Sequence, residues 1–307
     1  MRALVVTKTE RIVELGEVVE PTPGPHQAVV AVQALSLNRG EVNAAVAAAT
    51  PGGVPGWDLA GVVAEAAADG SGPPVGARVV GLVLGGGWAE RVAVATDALA
   101  ELPEGVSFEA ASTLPVAGLT ALRCLGKGGL LLGQRVLITG GAGGVGRFAI
   151  QLAARAGATV TAVVGRPERT VGLDDLGADE VVVGSLPEGA QYDLVLESAG
   201  GDSLREAFAR LAPQGTVVTF GASSQQPTTF EVPAFYRRQA TLLGFLVFAD
   251  LRQHGAGSAD LAYLAGLVAS GQLDTGIDMV VPWTEATEAC RALLERRVAG
   301  KAVLTVG

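Results

Sequence analysis

"VLITGGAGGVGRFAIQLAARAGATVTAVVGR", Val136 to Arg166, reads as a strand, a glycine break, a helix and a second strand. Gly141, Gly143 and Gly146 match G-x-G-x-x-G, with Ala142, Gly144 and Val145 between them. Alone the motif is weak, but here it follows a strand directly and opens a helix inside a βαβ unit, the context that marks a dinucleotide site. In such a loop the first glycine permits the tight turn, the second lets backbone approach a pyrophosphate, and the third lets helix pack on strand. Backbone N–H groups and the positive end of the helix then hold the anion.

An NAD site usually places Asp or Glu at the end of the second strand, about 20 residues on, to accept from the ribose 2′-hydroxyl. This chain has "AVVGRPER" there, with Arg166 and Arg169 in place of an acid. A guanidinium grips a 2′-phosphate through two parallel charged hydrogen bonds, so NADPH is expected over NADH. The alternative is that both arginines are ordinary solvated helix-start residues and specificity is relaxed. Glu168 beside them weakens the positive field.

Outward from this unit, strands and amphipathic helices alternate from about Thr113 onward, the pattern of a parallel sheet covered on both faces. A helix is expected in "PERTVGLDDLG" and strands in "DEVVV", "YDLVLES", "GTVVTF" and "TLLGFLVF". Two such halves make a doubly wound, six-stranded sheet. The last strand, 241–248, is apolar and is expected to pair with a second copy of the chain, because a bare apolar edge aggregates.

Before Thr113, short β-branched runs such as "ALVVT", "AVVAVQAL", "LAGVVAE" and "RVAVA" are separated by proline and glycine turns, which predicts a mostly antiparallel, barrel-like β domain. The expected domains are therefore 1–112, completed by the elements of 252–307, and a doubly wound domain over 113–251.

The chain of 307 residues carries a net charge of -9 and no basic block, which gives nucleic acid no electrostatic footprint. No run of about 18 apolar residues is free of charge, proline and glycine, so no membrane span is expected. The start, "MRALVVTKTERIVEL", lacks a signal-peptide core, and a soluble, cytoplasmic protein is expected. Cys124 and Cys290 lie far apart in apolar surroundings, and His26 and His254 sit alone in loop-like contexts, so no protein-bound metal is expected.

A β domain, a doubly wound domain and a return to the first resemble the medium-chain dehydrogenase/reductase superfamily, and within it the zinc-independent quinone oxidoreductases that include zeta-crystallin. The resemblance runs nearly end to end. It rests on "SLNRGE", "VPGWDLAG", "GWAERVAV", "LPEGVSFEAASTLPVAGLTAL", the glycine loop, "LGADEVV", "YDLVLESAGG", "GTVVTFG" and the closing "GKAVL". It implies a GroES-like fold for the β domain. Where zinc-using alcohol dehydrogenases carry ligands, this chain has the cysteine-free "SLNRGE", Trp57 and a position near Val116.

The resemblance implies hydride transfer from NADPH to a quinone or activated alkene or carbonyl acceptor, with orientation supplying most of the catalysis. An enoyl thioester reductase and a non-catalytic NADPH-binding protein are the alternatives. It implies Asn38 near the nicotinamide and acceptor, although Asn38 is equally suited to a turn after a strand. It implies Thr120 against the cofactor, with a helix start as the rival reading. The backbone of Phe220, Gly221, Ala222 and Ser223, and of Phe245, Leu246 and Val247, is implied around the ribose and nicotinamide. Asp58 is expected to fix local backbone. The segment "NAAVAAATPGG" lacks the arginine and tyrosine common in relatives, which implies an open, apolar acceptor pocket.

Overall fold

The structure is a computed structural model and describes residues 1–8, 11–47, 51–255 and 257–307. Its contacts divide the chain into two compact units, Met1–Leu119 with Leu251–Gly307, and Thr120–Asp250.

The first unit opens with β1 (Arg2–Val6) and β2 (Val13–Glu17), an antiparallel pair. It continues through β3 (Gln27–Leu37), α1 (Arg39–Ala47), β4 (Asp58–Glu65), β5 (Arg78–Leu82), β6 (Arg91–Ala95), β7 (Leu99–Glu101) and α2 (Phe108–Ser112). Leu114–Gly118 then takes π-helical form and leads into α3 (Leu119–Gly126).

The second unit holds β8 (Arg135–Thr139), α4 (Gly144–Arg155), β9 (Thr159–Val164), β10 (Glu180–Val183), β11 (Tyr192–Glu197), α5 (Gly201–Ala209), β12 (Leu211–Thr219), α6 (Val232–Arg237), β13 (Thr241–Gly244) and the start of α7 (Val247–His254). The chain then gives the first unit α8 (Ser258–Ala269), β14 (Ile277–Pro282), α9 (Ala286–Leu294) and β15 (Lys301–Thr305).

In the first unit a seven-stranded sheet runs β14-β15-β3-β4-β5-β7, with β6 also on β3. Only β14 and β15 are parallel; the other pairs are antiparallel. This is the GroES-like fold. Its inward side chains form two apolar clusters, one around Leu35, Leu37, Trp88 and Trp283 and one around Val30, Leu59, Val79 and Leu99. Strand β3 is long because it serves both, pairing with β15, β4 and β6 along its length.

The second unit is one parallel sheet in the order β10-β9-β8-β11-β12-β13. Strand order reverses between β8 and β11, the switch point at which open α/β sheets take ligands beyond the carboxyl ends of their strands. The central strands are almost wholly apolar, as burial on both faces requires: in "VLI" of β8 and "LVL" of β11 every residue is fully buried.

Two expected elements change. The helix expected in "PERTVGLDDLG" is a single 3-10 turn over Pro167–Arg169 followed by turns, since Gly172 takes left-handed backbone that no helix continues. The strand expected over 241–248 stops at Gly244. Its partner β12 ends at Thr219, opposite Gly244, and once the Phe245 N–H has reached the Thr219 carbonyl no ladder remains to join. From Val247 the chain is helical. Among the described residues no helix is long and apolar enough to cross a membrane.

Candidate functional site

The glycine loop leaves β8 at Thr139. The left-handed residue of the turn is Gly140, at φ 65°, one position before the first glycine of the motif. Gly141 donates its N–H to the Val163 carbonyl of β9, and Gly143 donates to Gly140. A Cβ on Gly146 would lie 2.4 Å from the Gly140 carbonyl oxygen and 2.7 Å from the Gly141 Cα, so only glycine lets α4 close on the turn. Gly143 caps α4 with extended backbone and is exposed, with Gly144 and Val145 half-exposed behind it. The first N–H groups of the helix, which have no partner within it, thus stand behind a turn of mostly glycine at the positive end of a three-turn helix. This fits a pyrophosphate.

Because the sheet is parallel, its other strands end at the same edge. Arg166 follows β9, exposed and extended, and Arg169, half-buried, closes the turn through its N–H to the Arg166 carbonyl. Phe220, Gly221, Ala222 and Ser223 follow β12; all but the half-buried Phe220 are exposed. Phe245 and Val247, after β13, are buried, while Leu246 between them is 60% exposed. Thr120, buried, is the second residue of α3. The expected nucleotide residues that follow β8, β9, β12 and β13 thus share one sheet edge. Asn38 belongs to the other unit.

A cavity of about 190 Å³ lies at this edge, between Thr139, Val163, Gly184 and Leu186 on the sheet side and Asp202 and Glu206 on α5. It falls below the roughly 300 Å³ at which ligand pockets begin.

Sequence reading passed over Glu197, the last residue of β11. It is fully buried, yet four donors converge on its carboxylate: the N–H groups of Ala199 (2.9 Å) and Gly200 (3.0 Å) and the hydroxyls of Ser203 (2.9 Å) and Thr139 (3.2 Å). A buried carboxylate is tolerated where donors satisfy it in this way.

In the first unit Asn38 stands at the start of α1, and Glu41 three residues on reaches back to its N–H at 2.6 Å, as in a capping box. The Asn38 amide group donates to Asp58 (2.7 Å) and Glu41 (3.2 Å), and its oxygen accepts from the Lys301 ammonium (2.8 Å). Asp58 also accepts from Ser36 (2.8 Å), from the Val116 N–H (2.9 Å) and from Lys301 (3.4 Å). It does fix backbone, and it is one half of a buried ion pair with Lys301.

Burial, and then the charge of Asp58, push the Glu41 carboxyl well above its ordinary value. Burial raises Asp58 as well, but Lys301, Asn38, Ser36 and the Val116 N–H pull it back. Of the two, Glu41 is the one pushed further toward its protonated form, against the pull of the Asn38 and Trp57 N–H groups and of Lys301. Burial, with Glu41 nearby, pushes the Cys290 thiol up to about 12, so it is no nucleophile.

Among the described residues no group of three or more His, Cys, Asp and Glu is arranged to hold a metal. Trp88 is fully buried in the core beside β1, whereas Trp57 is half-buried and lies against Gly40. Of the segment 43–53 that lacks arginine and tyrosine, positions 48–50 lie outside the described residues.

A glycine-loop cradle on a doubly wound sheet, joined in sequence to a GroES-like unit, defines a nucleotide-binding oxidoreductase. Residues 24–104 match the alcohol dehydrogenase GroES-like domain, and residues 144–257 match the zinc-binding dehydrogenase family. The chain is 30% identical over 308 residues to the chloroplast envelope quinone oxidoreductase homolog of Arabidopsis thaliana, covering 92% of this chain and 91% of that one. It is 29% identical over 238 residues to the mitochondrial enoyl-[acyl-carrier-protein] reductase of Rattus norvegicus, covering 72% of this chain and 64% of the relative. The solved quinone oxidoreductase from Coxiella burnetii superposes with a TM-score of 0.84 at 26% identity, covering 100% of this chain and 99% of that one. The chain belongs to the medium-chain dehydrogenase/reductase family and is quinone oxidoreductase-like.

Proposed function

We propose that this protein is a zinc-independent reductase that uses NADPH to reduce a quinone or another activated alkene or carbonyl acceptor. The observation that carries the cofactor choice is the end of β9, where Arg166 and Arg169 stand and no acid occupies the strand end. A 2′-phosphate suits that place, and a 2′-hydroxyl finds no carboxylate there. NADPH supplies the hydride, a proton comes from solvent, and a quinone leaves as the hydroquinone. The Gly141–Gly146 cradle would hold the pyrophosphate, Phe220–Ser223 and Phe245–Val247 would flank the ribose and nicotinamide, and Thr120 would pack against the cofactor.

The cysteine-free segment "SLNRGE", Trp57 and the position near Val116 fall where zinc-using relatives carry ligands, which supports the zinc-free assignment. The Asn38 amide is already bound to Asp58, Glu41 and Lys301, so its part is to hold the acceptor side in shape. Leu242 and Leu246, 40% and 60% exposed on and after the edge strand β13, favour a homodimer through that edge.

Titration with NADPH and NADH, followed by nicotinamide fluorescence on the wild type and Arg166→Ala, tests the cofactor. The substitution should weaken NADPH at least tenfold, the scale of a lost charged hydrogen bond, and leave NADH unchanged. Equal binding of both nucleotides to the wild type would sink the 2′-phosphate argument. A panel of quinones, small enones and enoyl thioesters as NADPH oxidants tests the acceptor. Preference for thioesters would favour the enoyl reductase reading, which the rat relative supports. Tight NADPH binding with no turnover would make the protein a sensor.

A further inference from the structure

Three stretches at the edge of the second unit are joined through one short loop, residues 198–200. On one side the Ser198 N–H donates to the Thr139 hydroxyl (2.9 Å), and its own hydroxyl donates to the Thr139 carbonyl (3.1 Å), where β8 gives way to the glycine loop. A Cβ on Gly140 would lie 2.6 Å from the Ser198 hydroxyl oxygen, so loop and turn are in close contact. On the other side, Ser223 donates to the Ser198 carbonyl (3.1 Å) and Ser224 to that of Ala199 (2.8 Å). The Phe220 N–H reaches the Glu197 carbonyl (3.0 Å).

The Glu197 side chain fastens this hub. One carboxylate oxygen takes the Ala199 N–H and the hydroxyls of Thr139 and Ser203; the other takes the Gly200 N–H, at the residue that caps α5. We propose that Glu197 is the positioning residue of the nucleotide half-site, setting the glycine loop and residues 220–224 at their mutual spacing from beneath, without touching the ligand. The proposal rests on the reading of this unit as a dinucleotide-binding one.

The chemistry of the carboxylate gives a sharp substitution. In Glu197→Gln the side chain keeps its shape but has one acceptor oxygen. With that oxygen turned to Ala199, the amide nitrogen faces the Gly200 N–H, donor against donor. The hydroxyls of Thr139 and Ser203 can rotate; a backbone N–H cannot. The loop must move, and with it both nucleotide segments.

Purified wild type, Glu197→Gln and Thr139→Val, each shown folded by circular dichroism, are titrated with NADPH and with NADH by nicotinamide fluorescence. Both dissociation constants should rise roughly tenfold in Glu197→Gln, with their ratio unchanged, because one charge-assisted network is lost and no 2′-phosphate contact is touched. Thr139→Val, which keeps the volume but removes the hydroxyl between Ser198 and Glu197, should raise both about threefold. A merely structural Glu197 would lower the melting temperature while the folded variant kept wild-type constants. That result overturns the proposal, and should Glu197→Gln fail to fold, unchanged constants in Thr139→Val overturn it equally. Wild type that binds neither nucleotide would defeat the dinucleotide reading itself.

Discussion

Each unit holds an ionic cluster built round a buried carboxylate, Asp58 in the first and Asp250 in the second, and the two are assembled with opposite arithmetic. Beside α1, the carboxylates of Glu41 and Asp58 lie in the field of the ammonium of Lys301, which pairs with Asp58 at 3.4 Å. On α7, the single carboxylate of Asp250 is shared by Arg123 (2.8 Å) and Lys127 (3.0 Å) of the chain around α3. An excess of buried carboxylate is relieved by keeping a proton. An excess of cations holds the carboxylate ionised, and although burial pushes Asp250 up, hydrogen bonds from Arg123 and Lys127 bring it below its ordinary value. Similar residue types thus give responses of opposite sign.

The largest break in this comparison is Lys301→Met. It strands Asp58 at zero exposure without its cation, and should cost about 3–5 kcal/mol in denaturant unfolding. Adding Asp58→Asn should recover much of that. A single-variant loss below about 1 kcal/mol would make the cluster worth no more than a surface pair.

In the second unit Arg123→Met should cost about 1–3 kcal/mol, less than Lys301→Met, because Lys127 still neutralises Asp250. Lys127→Met, whose side chain is 34% exposed, should cost under about 1 kcal/mol. Equal costs for Arg123→Met and Lys301→Met would remove the distinction between the clusters.

The smallest effects are slopes with pH. Glu41 has a raised folded value, so its contribution is complete below the ordinary carboxylate range and is lost as pH climbs through the folded value. Asp250 has a lowered one, so its contribution is complete above the ordinary range and is lost as pH falls through the folded value. One proton limits either slope to about 1.4 kcal/mol per pH unit. Calorimetric melting temperatures across pH should show Glu41→Gln flattening the alkaline side and Asp250→Asn the acid side. The reverse assignment would show that Glu41 is ionised in the cluster.

The six-stranded sheet was legible because its strands carry apolar runs, such as "VLI" in β8 and "LVL" in β11, and its βα turns carry glycine. The helix after β9 was not, since the polar spacing of "PERTVGLDDLG" is helical while the backbone of Gly172 breaks it. The end of β13 was hidden too: "TLLGFLVF" is apolar throughout, and only the length of β12 says where pairing stops. The glycine cradle and the arginines sit within one contiguous stretch and could be read as a motif. Glu197 could not, because a lone acid at a strand end carries no pattern, and its donors come from Thr139, 58 residues earlier, as well as from its own loop. Lys301 and Asn38 meet across 263 residues, a pairing no local spacing announces.

That last separation bears on how the chain is made. Synthesis delivers the second unit as one continuous stretch, Thr120–Asp250, able to collapse as soon as it emerges. The first unit waits. Until β15 arrives, one side of β3 opposite Ala34–Leu37 has no ladder and Asp58 has no ammonium, so β3 and Asp58, translated well ahead of the second unit, reach their final surroundings after it. A ribosome stalled before Lys301 would hold a finished nucleotide half beside an open sheet, the species that a chaperone would recognise.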